Sequence, residues 1–305
     1  MHTCAIVNPT AGGGRVRHVW PRLLSRLLDA TGSLSVQWTT GPNAATRLTR
    51  QALKDGADRI VAVGGDGTLH EVVNGFFEDE ARIAPTAVLV VVACGSGSDF
   101  RRTLGAATGV RAADQLQSDR IAPVDVLRIE YTTSRRRVSR YAINIASAGL
   151  SGTVVRRFSG GRPLIPARLR YFGAALRALS TDRPVPVRLA LDGTSLASRH
   201  VRLVVAANGH TFAAGVPIAP TATPHDGLLD LVVLRDMPVP TLLRHAPRFY
   251  RGTHTALPDV ETYRGRHLTI APLGSQPVWT EADGEALGRL PMSVTVIPHA
   301  LRIQY

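Results

Sequence analysis

The rhythm of apolar and polar positions changes partway along this chain. Thr3-Cys-Ala-Ile-Val7 is a short apolar run stopped by Asn8-Pro9. From Arg15 to Ala30, Val16, Val19, Trp20, Leu23, Leu24, Leu27 and Leu28 recur at helical spacing. Leu34-Ser-Val-Gln-Trp38 alternates like a strand, and Ala44 to Lys54 returns to the helical period. Arg59-Ile-Val-Ala-Val63 and the run from Ala87 to Ala93 are apolar throughout, the pattern of strands covered on both faces. Strand and helix in alternation predict a doubly wound, Rossmann-like α/β domain over residues 1–124. Ligands of such a sheet sit at the C-terminal ends of its strands.

From Asp125 the pattern becomes β-rich. Val187–Leu191, Val201–Ala206, Leu229–Leu234 and His267–Ala271 are short apolar runs separated by Gly, Pro and Asp turns. They predict an antiparallel β-sandwich over residues 125–305, interrupted by one helical insertion from about Pro166 to Leu179. The two domains would enclose an active site in the cleft between them.

Charge sharpens this division. The 305 residues carry 36 basic and 23 acidic side chains, a net +13, and the only lysine is Lys54. Residues 1–124 account for 13 basic and 11 acidic groups and residues 125–305 for 23 and 12. Eleven arginines fall in 128–177 against one acid, Glu130. That stretch reads equally as a solvated face or as a surface that docks on an anionic membrane. No apolar run is long enough to span a bilayer, and the first residues lack the pattern of a signal peptide. Cys4 and Cys94 make no disulfide framework, which predicts a reducing cytoplasm, with peripheral contact at the inner membrane face. Neither H-E-x-x-H nor C-x-x-C occurs, so a zinc site has weak support, and the absence of G-K-[ST] excludes a standard Walker A loop. No nucleic-acid-binding signature is present. Cys4, Cys94, Trp20 and Trp38 read as core residues.

Gly64-Gly-Asp-Gly-Thr68 follows one strand and opens a helix through Leu69 to Gly75. Glycines allow close approach to phosphate oxygens, and a helix start offers free N–H donors. Asp66 would repel phosphate unless a cation bridges them, which suggests Mg²⁺. The alternative is a tight turn with Asp as turn former. Asn8-Pro-Thr-Ala-Gly-Gly-Gly-Arg15 and Cys94-Gly-Ser-Gly-Ser-Asp-Phe100 occupy equivalent places after other strands, so a polyphosphate cradle explains all three. By itself, Asp283-Gly-Glu285 reads as a surface turn.

These segments resemble the diacylglycerol kinase catalytic domain family, which includes soluble bacterial lipid kinases and sphingosine kinases. The resemblance rests on Asn8-Pro9, Gly64–Thr68 with Glu71-Val-Val-Asn-Gly75, and Gly95-Ser-Gly-Ser-Asp-Phe100. It continues through Tyr141–Asn144, Asn208-Gly209, Ile218–Pro220, His225–Asp230, Gly252–His254 and Asp283–Glu285. It implies an ATP- and Mg²⁺-dependent kinase acting on a lipid hydroxyl. Asn8, Pro9, Thr10, Ala11, Gly12, Thr39, Gly64, Gly65, Asp66, Gly67, Thr68, Leu69, His70 and Ser96 would line the ATP site. Asp66, with Asp99 and Asp125, would surround the catalytic Mg²⁺, and Glu285 would be the general base. Thr223, Asp226 and Leu228 would hold a structural Mg²⁺. The chain departs from the family at Ser98 and His70, each usually Asn, at Ala93, usually Pro, and at Ala213-Ala-Gly215, a reduced glycine turn. An NAD kinase-like enzyme acting on a nucleotide ribose shares the GGDGT loop and is the alternative, although the Asn-Glu motif of that family is not found after the loop.

Overall fold

The computed structural model describes residues 1–95, 97–133, 136–159 and 167–305. Its first half runs β1 (Thr3–Val7), α1 (Arg15–Thr31), β2 (Ser35–Trp38), α2 (Ala44–Lys54), β3 (Arg59–Gly64) and α3 (Asp66–Gly75). A small hairpin, β4 (Phe77–Glu78) and β5 (Ala81–Arg82), precedes β6 (Val88–Ala93) and the short α4 (Asp99–Leu104). The strands β2, β1, β3 and β6 lie side by side in that order and all run parallel. Alternate side chains of these strands point to opposite faces, and both faces are filled. Ile60, Ala62, Leu89 and Val91 pack with residues of α2 and α3. Val61, Val63, Val90 and Val92 pack with Val16, Leu23 and Leu27 of α1 and with the 3₁₀ segment Gly109–Gln117. This double cover is what the unbroken apolar runs require. The chain moves from β1 outward to β2, then back past β1 to β3. The topological switch, where such sheets bind ligands, therefore lies between β1 and β3.

The second half runs β7 (Ile121–Thr132), β8 (Arg137–Ala142), β9 (Ile145–Gly149), α5 (Leu150–Ser159) and α6 (Ala167–Thr181). Then come β10 (Val185–Leu191), β11 (Thr194–Ala207), β12 (Leu229–Arg235), α7 (Val239–Arg251), β13 (Val260–Gly265), β14 (His267–Pro272), β15 (Trp279–Ala282) and β16 (Glu285–Gln304). These strands pair antiparallel around a core that includes Leu127, Ile129, Leu189, Val204, Leu231, Ile270 and Val294. The predicted helical insertion is in fact two helices, α5 and α6, and α7 was not predicted at all. Pro166 lies outside the described residues.

The boundary at 124/125 is not clean. Arg302–Gln304 at the end of β16 run parallel to Val88–Val90 of β6 and extend the first domain's sheet. The start of β7, Ile121–Val124, pairs with the same end of β16. One hydrogen-bonded sheet thus passes through both halves, with β16 as the shared strand. Cys4 and Cys94 are buried thiols, as expected. Trp38 departs from the core expectation: it is 40% exposed at the end of β2, edge-on to Trp20 with ring centroids 4.9 Å apart. Among the described residues no helix is long and apolar enough to cross a membrane.

Candidate active site

The loops after β1, β3 and β6 meet at one end of the parallel sheet. The Asn8 N–H donates to the Val63 carbonyl at 2.9 Å. Its side-chain amide donates to Thr68 Oγ1 at 3.0 Å, and its Oδ1 accepts from the Thr10 N–H, so one residue ties the first loop to GGDGT. A Cβ on Gly95 would stand 2.6 Å from the Gly65 Cα, so these backbones touch only because both residues are glycine. The first ladder bond of α3 is Leu69 N–H to Gly65 O, which leaves the N–H groups of Asp66, Gly67 and Thr68 outside the ladder. Thr39 joins the same end, its N–H bonded to the Val7 carbonyl at 2.9 Å. Asn8 to Gly12, Thr39 and Gly64 to Thr68 therefore share one rim. Two residues expected there turn elsewhere. Leu69 is in the core, and the buried His70 directs Nδ1 to Asp283 Oδ2 at 3.2 Å. Ser96 lies outside the described residues.

Asp66 accepts from the Ser98 N–H at 2.6 Å and the Asp99 N–H at 2.8 Å, so it seats the start of α4. Burial first, then the Asp99 charge, pushes its carboxyl up to about 6, against the pull of those two donors. Asp99 is also raised, by burial, although the Ala214 N–H (2.9 Å) and the Arg102 guanidinium (2.9 Å) oppose the shift. Two adjacent buried carboxyls are held above their usual range even with the Arg102 guanidinium on one of them. That suits a hard divalent cation with oxygen ligands, and Mg²⁺ needs only one or two carboxylates when substrate phosphates and water complete its shell. The described residues offer no cluster of three or more such side chains, so an ion here would rest on this pair. Ser98 has φ 52, in the left-handed region that Asn tolerates better than Ser, a local cost of the departure from the family pattern.

Asp125, expected beside this pair, is tied elsewhere. It is fully buried, and its carboxylate accepts from the Gly227 and His299 N–H groups, both at 2.7 Å. No hydrogen bond joins it to Asp66 or Asp99. Its geometry is that of an anchor between β7, the 223–228 turn and the bend of β16.

The expected structural Mg²⁺ at Thr223, Asp226 and Leu228 meets a different arrangement. The Asp226 carboxylate accepts from Thr223 Oγ1 (3.1 Å), from the Leu228 N–H (3.0 Å) and from the Arg264 guanidinium. Arg264 also reaches toward Asp230 at 3.6 Å. In this arrangement the Arg264 guanidinium supplies the positive charge at the Asp226 carboxylate that the expected ion would supply. A chelator in excess should leave the melting temperature of the free protein within about 1 °C, which differential scanning fluorimetry with and without EDTA checks. A fall of several degrees, restored by Mg²⁺, would contradict this.

The Asp283-Gly-Glu285 segment is a turn with Gly284 and Glu285 exposed, as its sequence suggests, but Asp283 is buried beneath it. Asp283 accepts from the backbone N–H groups of Ile143, Asn144 and Ile145, each at 3.0 Å, as well as from His70. This clamp sets the Glu285 carboxylate against the GGDGT loop: a Cβ on Gly67 would lie 2.6 Å from Glu285 Oε1. Partial desolvation raises the Glu285 carboxyl, with a partial opposing effect from His70. Beneath the turn, buried Glu281 accepts from the Gly284 N–H at 2.9 Å and from the Ser147 hydroxyl.

Burial pushes the Glu281 carboxyl up to about 7. Between its ordinary 4.5 and about 7 the folded protein holds a proton that the unfolded chain releases, so stability falls as pH rises through that window. Glu281→Gln should remove this slope and match or exceed the wild type at pH 8, by up to about 3 kcal/mol. Urea titrations at pH 5 and pH 8 read both effects.

Several side chains that the sequence offered without roles prove to be couplers. Glu71 accepts from the Asn43 and Ala45 N–H groups (2.8 and 2.9 Å) and so caps α2. Asn74 exchanges two bonds with the Tyr141 backbone (2.8 and 3.0 Å), joining α3 to β8. Asn208 donates to the carbonyls of Asp125 and Ile143. The Arg102–Asp99 contact was also missed, and the only signal for it was an arginine three residues on, one helical turn away.

Two family models match successive parts of this chain. Residues 2–129 match the diacylglycerol kinase catalytic domain, and residues 144–305 match the YegS C-terminal NAD kinase beta sandwich-like domain. The chain is similar to a diacylglycerol kinase of Mycobacterium tuberculosis, at 28% identity over 305 residues, covering 98% of this chain and 93% of the relative. A solved diacylglycerol kinase structure from Bacillus anthracis superposes with a TM-score of 0.73 at 22% identity, over 100% of this chain and 96% of the other. Yeast NADH kinase superposes with a TM-score of 0.54 at 12% identity, over 99% and 82%.

Proposed function

We propose, from the premise that this chain belongs to the diacylglycerol kinase catalytic domain family, that it transfers the γ-phosphate of ATP to the hydroxyl of a lipid alcohol with Mg²⁺ as its ion. The observation that carries this reading is the approach of Glu285, from the second domain, to Gly67 in the GGDGT loop of the first. A lipid hydroxyl is a poor nucleophile at neutral pH and needs a base where the phosphate is held. Glu285 is a solvent-accessible carboxyl whose pKa is raised by partial desolvation, and it faces a rim of free backbone donors. The residues then divide the work. Backbone N–H groups of the three loops bind and orient the triphosphate. Asp66 and Asp99 would hold Mg²⁺, which, when bound, neutralises phosphate charge. Glu285 takes the acceptor's proton, and Asp283, with its four donors, fixes the turn that aims it. A cytosolic nucleotide and a lipid acceptor imply work at the cytoplasmic face of a membrane.

The test is labelled ATP with diacylglycerol, phosphatidylglycerol, ceramide and a sphingoid base in mixed micelles, and with NAD in parallel. Diacylglycerol heads the panel because that is what the named relatives act on. The expected result is one labelled lipid, identified by mass, and unlabelled NAD. Transfer to NAD alone would replace this reading by phosphorylation of a nucleotide ribose.

A further inference from the structure

We propose that the outer face of α7 docks on an anionic bilayer. The proposal rests on the lipid-kinase reading only for its purpose, since it stands on the helix itself. Along α7, Leu243, Pro247 and Tyr250 fall at i, i+4 and i+7, and so form one row. Arg244, Arg248 and Arg251 are the next positions and form the row beside it. All six are exposed, Leu243 by 53% and Tyr250 by 71%, and α7 has no buried residue. The opposite face, with Leu242 and Phe249, packs on the second domain's outer core. Among the described residues no acid pairs with any of the three arginines, and the helix contains no Asp or Glu.

An apolar row flanked by an arginine row is the surface of an interfacial helix: aliphatic and aromatic groups enter the acyl boundary while the guanidiniums meet lipid phosphates. The arginines of 128–177 are less available. Arg128, Arg137 and Arg157 pair with Glu80, Glu130 and Asp182, and Arg156 lies 3.8 Å over the Trp279 ring. Part of that stretch lies outside the described residues. Position favours α7 too. A Cβ on Gly252, which ends the helix, would stand 3.0 Å from Pro220. The buried His254 donates to the Ile218 carbonyl at 3.0 Å. The same loop donates the Ala214 N–H to Asp99. A bilayer on α7 would thus lie one loop away from the acidic pair.

The test is sedimentation with phosphatidylcholine vesicles, with and without phosphatidylglycerol, at two salt concentrations. Wild-type protein should bind the anionic vesicles and release them in salt. Arg244→Gln/Arg248→Gln/Arg251→Gln should weaken that binding about a hundredfold, at about fivefold per arginine. Leu243→Ser/Tyr250→Ser should weaken it roughly tenfold with the charge intact. A control with the same charge loss, Arg22→Gln/Arg47→Gln/Arg188→Gln, should bind like wild type, and melting temperatures verify that all variants fold. Wild-type-like binding by the α7 triple variant, equal loss in the control, or equal wild-type binding to neutral vesicles overturns the proposal. So does a duplex oligonucleotide that displaces the vesicles, because the occupant would then be nucleic acid. The α7 variant should still phosphorylate a dispersed short-chain diacylglycerol. If no lipid is phosphorylated while vesicle binding stands, the kinase reading fails and the docking face survives.

Discussion

Replacing Glu285 by glutamine should lower kcat by about a thousandfold while leaving nucleotide binding and the melting temperature close to wild type. Glutamine keeps the shape of the side chain, and Glu285 accepts no hydrogen bond that the fold needs. What it removes is the ability to take a proton. If Glu285 only filled space beside Gly67, the substitution would be nearly silent, and a rate within threefold of wild type would sink its role as base. Gly67→Ala is the companion experiment. Its methyl would arrive 2.6 Å from Oε1, so the carboxylate must move, and a displacement of this kind costs about a hundredfold. Together they separate removal of the base from its misplacement. Because partial desolvation raises the Glu285 carboxyl, the wild-type rate should climb with pH through a midpoint above 4.5, and the climb should be absent in Glu285→Gln.

Asp66→Asn should be the other near-complete loss, of about a thousandfold or more in kcat, accompanied by loss of Mg²⁺ binding in calorimetry. Its distinguishing feature is stability. The wild-type carboxyl, pushed from 3.8 to about 6, makes the folded state less stable as pH rises through that window. Asparagine removes up to about 3 kcal/mol of that burden at pH 7. It also leaves one of the two α4 amides, Ser98 or Asp99, without its acceptor, at a cost of about 1–3 kcal/mol. The variant should therefore be as stable as wild type or about 1 kcal/mol better at pH 7, with a flatter pH profile between 4 and 6. An inactive variant that is also several kcal/mol less stable would mean that Asp66 acts mainly as a brace.

Local pattern carried the first domain well because its elements are periodic and its loops obey strand-loop-helix logic. α2 runs from Ala44 to Lys54 as its period indicates. α7 was invisible for a physical reason: apolar residues lie on both its faces, and Pro240 and Pro247 break the pattern. The site was legible as a set of positions but not as a set of partners. His70 and Asp283 meet across 213 residues, and Asp226 and Arg264 across 38. Neither pairing leaves a local trace. A family resemblance could group Asp125 with the other carboxylates, but only the fold revealed that its amide partners belong to the 223–228 turn and the bend of β16.

The strand that begins at Glu285 ends by completing the other domain's sheet, and this has a consequence for how the protein is made. During synthesis β6 emerges early, yet its outer edge stays unpaired until Arg302–Gln304 appear, after the whole second domain. At ordinary translation rates that interval is on the order of ten seconds or more. Throughout it an all-apolar parallel edge is exposed, the kind of edge that recruits other chains. The nascent first domain is thus a natural client for chaperones. A chain terminated before residue 302 would carry its nucleotide cradle nearly complete and its sheet still open.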